Sequence, residues 1–294
     1  MILGVIDTAL QQGLSYALAS LGILISFRIL NYPDLTVDGS FALGGAVLAR
    51  LLVLGLPPGV AMVIASLCGF VAGLTTAFLN RKLGISKLLS GILVMLVLYS
   101  ANLRIMGRAN IPLLRMTTVL SPIERLGRAN LLLIALFFVL AVAVKVLLDL
   151  FFKTRLGLAI RATGDNELMV LNLGVSTDSL VYVSMGLSNM LVAFAGSLIS
   201  QHQGFADIGM GIGMIIIGLA AIIIGESFFR PKTIATLTLA AIWGTVIYFL
   251  IISISLRLGL APTDLKLATA LLVILGLSLK YRGKMGQNSA ARKP

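Results

Sequence analysis

The chain has 294 residues, of which 59% are hydrophobic and 12% charged, with a mean hydropathy of +1.05 and a formal net charge of +12. Soluble domains seldom reach such values, so the composition describes an integral membrane protein. The Lys and Arg residues fall almost wholly between apolar runs and at the C-terminus, which speaks against nucleic acid as a partner. A lone cysteine, Cys68, excludes an intrachain disulfide, and a lone histidine, His202, argues against a His-based metal site or triad.

The apolar runs last about 15 to 25 residues and lack period-2 alternation, so their backbone groups must be paired within helices. The expected fold class is all-α, a polytopic helical membrane protein with about eight or nine transmembrane segments, one of them broken or re-entrant. No cleaved signal peptide is expected, because the N-terminal apolar stretch continues into the first span. The first run covers residues 13–30 and stops at Asn31-Tyr32-Pro33, where Pro33 disfavours helix in the residue before it. Residues 34–40 are too polar to face lipid, and a second run follows over 41–54 with the small pair Gly44-Gly45. After Pro57-Pro58-Gly59 comes a third run, 60–79, whose Gly69 and Gly73 form a small-xxx-small face for close helix contact.

A fourth run, 88–103, either spans or re-enters. The polar segment 104–130 is long enough to fold over the mouth of a pore. The fifth run, 131–152, leads into a long polar interval, and the sixth spans 180–200. A polar loop, 201–207, precedes a seventh run over 208–224 that opens on Gly209, Gly211 and Gly213. The eighth covers 233–256, the ninth 265–279, and a polar, disordered tail closes the chain. In the eighth run Trp243 lies mid-span and is expected to pack against a neighbouring helix; in the sixth, Asn189 is expected to hydrogen-bond between helices. The expected division is one transmembrane unit over residues 1–281 and a tail over 282–294.

The interval between the fifth and sixth runs is the most informative. Asp165 or Asn166 offers an N-cap after Gly164, and Gly174 a C-terminal stop, so residues 167–173 read as about two turns of helix. So short a helix is marginal alone in water. It carries Leu168, Met169, Val170, Leu171 and Leu173 on a stem with Lys153, Arg155 and Arg161, an arrangement suited to docking a soluble partner.

These residues, TRLGLAIRATGDN, resemble the cytoplasmic loop of ABC-transporter permeases for branched-chain amino acids and simple sugars. Thr154, Gly157, Arg161, Ala162, Gly164 and Asn166 match that loop position by position. The resemblance implies a type II ABC importer-like permease in a bacterial cytoplasmic (inner) membrane. It also implies a cytoplasmic coupling loop, 153–178, in which Thr154, Arg155, Gly157, Arg161, Gly164, Asp165, Asn166, Leu168 and Leu171 serve coupling to an ATPase. No G-x-x-x-x-G-K-[ST] pattern occurs, so ATP hydrolysis is expected on another chain. The resemblance implies two partner ATPase subunits that hold ATP and Mg, and a transport subunit expected to be no enzyme and to carry no cofactor or metal of its own. The other implied partners are a periplasmic or lipid-anchored substrate-binding protein and a second permease copy forming a homodimer.

Two further stretches extend the resemblance. PDLTVDGS is similar to a D-L-S-V-G-S segment of sugar permeases beside the pathway, with Asp34, Leu35, Thr36 and Val37 matching and Asp38 departing from Gly. QGFAD, GMGIG and IIIGE resemble the subgroup paired with tryptophan- and tyrosine-type binding lipoproteins. Asp34, Thr36, Asp38, Gln203, Phe205 and Asp207 are therefore the pathway candidates, and Gly44, Gly69, Gly73 and Gly211 the helix-packing candidates. Read from the residues alone, Asp34 and Asp38 serve equally well as helix caps. The expected cargo is an aromatic or hydrophobic amino acid, with a sugar or nucleoside as the alternative. An ion-coupled secondary transporter using Asp34, Asp38 and Glu226 is the competing class.

Overall fold

The computed structural model describes residues 2–124 and 129–259, together with Leu267 and Leu271. The rest of the ninth run and the tail lie outside the described residues. Eleven helices and two short strands follow in chain order among those described. They are α1 (Ile2–Ile23, continued by a π-helical stretch, Leu24–Ile29), α2 (Thr36–Val53), α3 (Pro58–Arg81), α4 (Lys87–Met106), β1 (Asn110–Pro112), α5 (Ser121–Glu124) and α6 (Ala129–Phe151). After these come α7 (Arg155–Asp165), α8 (Glu167–Asn172), α9 (Thr177–Gln203), β2 (Phe205–Asp207), α10 (Met214–Phe229) and α11 (Ile234–Arg257). Seven of them are long and apolar enough to cross a membrane. The eighth apolar helix, α10, has 16 residues and so reaches about 24 Å, short of the roughly 30 Å hydrocarbon core.

The bundle is built around α9, which is as thoroughly buried as α2 and packs against α1, α2 and α3. Three glycines on its neighbours bring backbones into contact with it. A Cβ on Gly44 of α2 would lie 1.9 Å from the Ala193 carbonyl oxygen, one on Gly69 of α3 2.5 Å from that of Asn189, and one on Gly73 2.1 Å from that of Met185. The Gly69/Gly73 face is thus turned onto α9, as its spacing predicts. The outward faces of α3, α4 and α6 expose Val63, Leu67, Val97, Val139 and Leu147, which suits lipid or another helix.

The two ends of the bundle are distinct. At one end, α7 meets the close of the first span: a Cβ on Gly164 would lie 1.9 Å from the Ile29 carbonyl oxygen. At the other, Gln11 donates to the carbonyl of Asn130 at the start of α6 (3.4 Å). The N-terminus therefore lies opposite α7 and α8, even though the chain breaks near Pro33. The break begins at the α7 end, where Ile29 meets α7, and the chain turns back into the bundle to start α2 beside Asn189 of α9.

Several expected boundaries move. Helix α2 starts at Thr36 rather than residue 41, because the Asp34 carboxylate accepts from the Thr36 amide (2.9 Å) and caps it. The fourth run is a full span of 20 residues. In the seventh run, residues 208–213 are not helical: Gly213, at φ +90°, makes a turn, and the helix runs instead from Met214 to Phe229. Trp243 does not pack inward, being 40% exposed on the surface of α11.

Candidate functional site

Two groups of residues stand out, one inside the bundle and one at its α7 end. The inner group forms where the chain is broken twice, after the first span and before α10. Asp34 is fully buried, and its second oxygen accepts from the Asn189 side-chain amide (2.7 Å), whose oxygen in turn accepts from the Ser40 hydroxyl (2.7 Å). Asn189 thus bridges α9 to both sides of the α2 start, as an intramembrane amide on an interior face should. Thr36 and Thr76 share a hydrogen bond at 2.6 Å, tying that start to α3.

Asp38, four residues on, faces the other break. Its two oxygens accept from the backbone amides of Gly213 and Ile215, each at 2.9 Å. A carboxylate on α2 therefore caps the N-terminus of α10, where unpaired amides and the helix dipole favour negative charge. Gly211 permits the approach, since a Cβ there would sit 1.9 Å from the Asp38 carbonyl oxygen. Two of the three carboxylates that an ion-coupled transporter would use are engaged in holding broken helices together. Glu226, the third, is paired with Arg28 across the α10 and first-span ends.

The other pathway candidates lie at the far end. Phe205 and Asp207 sit in β2, which pairs antiparallel with β1, so that Asn110 faces Asp207 and Pro112 faces Phe205. Leu113 N–H donates to the Gly204 carbonyl (2.7 Å), and the Val119 amide donates to the Gln201 side chain (2.9 Å). Asp207 accepts from the Gly209 amide (2.8 Å) and the Asn110 side chain (3.2 Å), while Gln203 donates to the Phe205 carbonyl (3.3 Å). The polar segment after α4 thus folds back and is clipped to the end of α9. Strand β2 packs against α2, but no hydrogen bond joins Gln203, Phe205 or Asp207 to Asp34 or Asp38.

At the α7 end the interval 153–178 forms two helices rather than one. The Thr154 hydroxyl accepts from the Gly157 amide (3.2 Å) and caps α7; the Asn166 side chain accepts from the Met169 amide (3.0 Å) and caps α8. Gly164 lies within α7, one residue before its end, and its missing side chain admits the Ile29 carbonyl rather than a helix stop. Gly157 is buried in the same manner, where a Cβ would lie 2.3 Å from the Phe151 carbonyl oxygen. Ile160 is fully buried. Arg161 and Asp165 line a cleft of about 310 Å³ with Arg28 and Lys232, and Arg155 is exposed.

Helix α8 behaves differently. Only Val170 is buried, while Leu168 (73% exposed), Met169 and Leu171 face outward, accompanied by Leu173 just after the helix and by Leu156 and Leu158 at the start of α7. Its first residue, Glu167, is hydrogen-bonded to Arg81 at the end of α3, and Arg81 also stands 3.8 Å from Asp178 at the start of α9. The Arg81 guanidinium holds the Glu167 carboxyl below the usual carboxylate range. Neither the Arg81–Glu167 nor the Arg28–Glu226 pair is announced by the sequence, because each joins residues far apart in the chain.

A bundle of membrane spans with two internally capped breaks and a compact two-helix platform at one end is the architecture of a polytopic transport permease. Residues 5–281 match the family described as Branched-chain amino acid transport system / permease component, and the chain belongs to that family. It is 42% identical over 273 residues, 93% of this chain and 90% of the relative, to the tyrosine transport system permease protein of Clostridioides difficile (strain R20291). An uncharacterised protein of Rickettsia prowazekii (strain Madrid E) is 38% identical over 280 residues, covering 94% of this chain and 98% of that one. A galactofuranose transporter permease protein of Escherichia coli (strain K12) is 28% identical over 198 residues, 65% of this chain and 55% of the relative. No solved structure matches. The protein is accordingly a multi-pass permease component of an ABC-type transport system, located in bacteria in the inner membrane.

Proposed function

We propose that this chain forms half of the pathway of an ATP-driven importer for an aromatic amino acid, with tyrosine the first candidate. A second copy completes the pore, a periplasmic or lipid-anchored protein delivers the substrate, and two ATPase subunits dock on the α7–α8 platform at the cytoplasmic face. The observation that carries this reading is α8: a six-residue helix with three outward apolar side chains, followed at once by exposed Leu173, has no core of its own and calls for a partner groove. The orientation rests on the basic residues of the α7 end, Arg28, Arg81, Lys82, Lys87, Lys153, Arg155, Arg161, Arg230 and Lys232. The substrate class rests on the tyrosine-named relative that aligns with nearly the whole chain.

The test is ATP-dependent uptake in proteoliposomes holding the permease, its ATPase and its binding protein. Tyrosine uptake that excess tryptophan or phenylalanine competes for supports the reading. Competition by sugars or nucleosides with no effect of aromatic amino acids removes the substrate, and uptake without ATP removes the class. Orientation is tested separately in a Cys68→Ser background. An impermeant thiol reagent applied to intact cells should label Leu114→Cys, on the exposed segment after β1, and spare Asn172→Cys. Ala206 is unsuitable as the outer probe because it is buried in the strand pair.

A further inference from the structure

We propose that Arg81 is the positioning residue that transmits movement of α8 into the transmembrane bundle, through its ion pair with Glu167. The inference rests on the coupling reading above and adds the link between docking platform and pathway. Helix α8 is attached to the rest of the chain by few contacts: one buried side chain, Val170, its own cap at Asn166, and Glu167. Of these, Glu167 is the one whose side chain reaches a transmembrane helix by a charged hydrogen bond. Arg81 is the last residue of α3, and its side chain is only 16% exposed, so its position is fixed by the bundle rather than by solvent.

Three observations give the pair a direction. Arg81 is shared between Glu167 on α8 and Asp178 on α9, so one guanidinium joins the platform to two spans. Its Nε is buried without a partner, so the guanidinium is not fully satisfied in this arrangement and retains a donor for a rearranged one. Little more than one turn before it on α3, Thr76 holds Thr36, beside Asp34, at the broken start of α2. A pull on Glu167 is therefore delivered to the helix that contacts the inner group. The α3 backbone also lies directly on α9 through Gly69 and Gly73, so α3 moves as a rod and not as a loose strand of side chains.

The experiment uses the complete transporter in proteoliposomes. Arg81→Gln should leave the ATPase bound, as read by co-purification, and lower substrate imported per ATP hydrolysed by about ten-fold, within the range of coupling between distant sites. The reversed pair, Arg81→Glu with Glu167→Arg, should recover most of that ratio, an outcome that a merely structural arginine would not give. Transport by Arg81→Gln at the wild-type ratio overturns the proposal. So does a reversed pair no better than the poorer of its two single variants, or loss of ATPase binding in Arg81→Gln. The coupling reading fails by a different result: an ATPase that still binds and drives uptake when Leu168 and Leu171 are both changed to Asp.

Discussion

The two helices of the α7–α8 platform are adjacent in sequence and share a cap residue, yet they answer to different forces. Helix α7 is pressed into the bundle at Gly157, Ile160 and Gly164, with two backbone approaches that no side chain would tolerate. Helix α8 keeps one side chain inside and three apolar ones out, with Leu173 exposed just after it. The first is a foundation and the second a surface. The same loop motif therefore mixes residues that matter for folding with residues that matter for contact, and position in the motif does not separate them.

Substitutions that exploit this difference should fall in a clear order. Gly164→Val should have the largest effect: with the Ile29 carbonyl oxygen where the new side chain must go, overpacking of at least about 3 kcal/mol is expected. The measurement is the yield and thermal unfolding of detergent-extracted protein, and a normally stable variant would mean that α7 is not anchored as described. Gly157→Val belongs with it and is no clean probe of coupling.

Next comes Leu168→Asp with Leu171→Asp. Stability should stay within about 0.5 kcal/mol of the parent, as for exposed positions away from structural features, while ATPase co-purification and uptake are lost. A destabilised but fully coupled protein would invert the contrast between the helices. Smaller again is Asn166→Ala, which removes the α8 cap at a cost of about 1 kcal/mol. Faster amide exchange confined to residues 167–172, with a partial loss of uptake, is the expected result; unchanged exchange would show that the cap is dispensable.

The smallest effect is that of pH. Because the Glu167 carboxyl is held below its ordinary value by Arg81, the pair's contribution is fully present above the unfolded carboxylate pKa of about 4.3 and is lost only as pH falls through the lowered one. A spin label on α8 should report the same mobility throughout the neutral range. Loosening that begins near neutrality would mean that another group holds the helix.

Much of this contrast was legible in the sequence, for local reasons. Asn166 at the head of an apolar hexad, and Gly174 with its positive φ behind it, are short-range signals, and both occupy the turn positions they predict. Gly69 and Gly73 could be read as a packing face because their spacing is helical. The helix-breaking residues before α2 were legible too, though not that Asp34 would extend the helix back to Thr36. Gly157 and Gly164 were recognisable only as motif members, since a glycine's reason lies in the backbone it meets. The start of α10 was hidden because the group that caps it comes from α2, and the β1–β2 clip because its strands have three residues each. Trp243 is 40% exposed on α11, a degree of exposure that mid-span position alone does not give.

The cap that Asp38 places on α10 bears on biogenesis. When α2 leaves the translocon, α10 has not been synthesised, and an aspartate without its partners opposes insertion, though less in the first turn, where Asp38 stands, than the roughly 2.5–3.5 kcal/mol of a helix centre. Its partners, the Gly213 and Ile215 amides, arrive only after four further spans, α3, α4, α6 and α9, are made. Helix α2 should therefore insert poorly in isolation and mature late, and chains truncated before residue 213 should leave it accessible to quality-control proteases that the full-length protein resists.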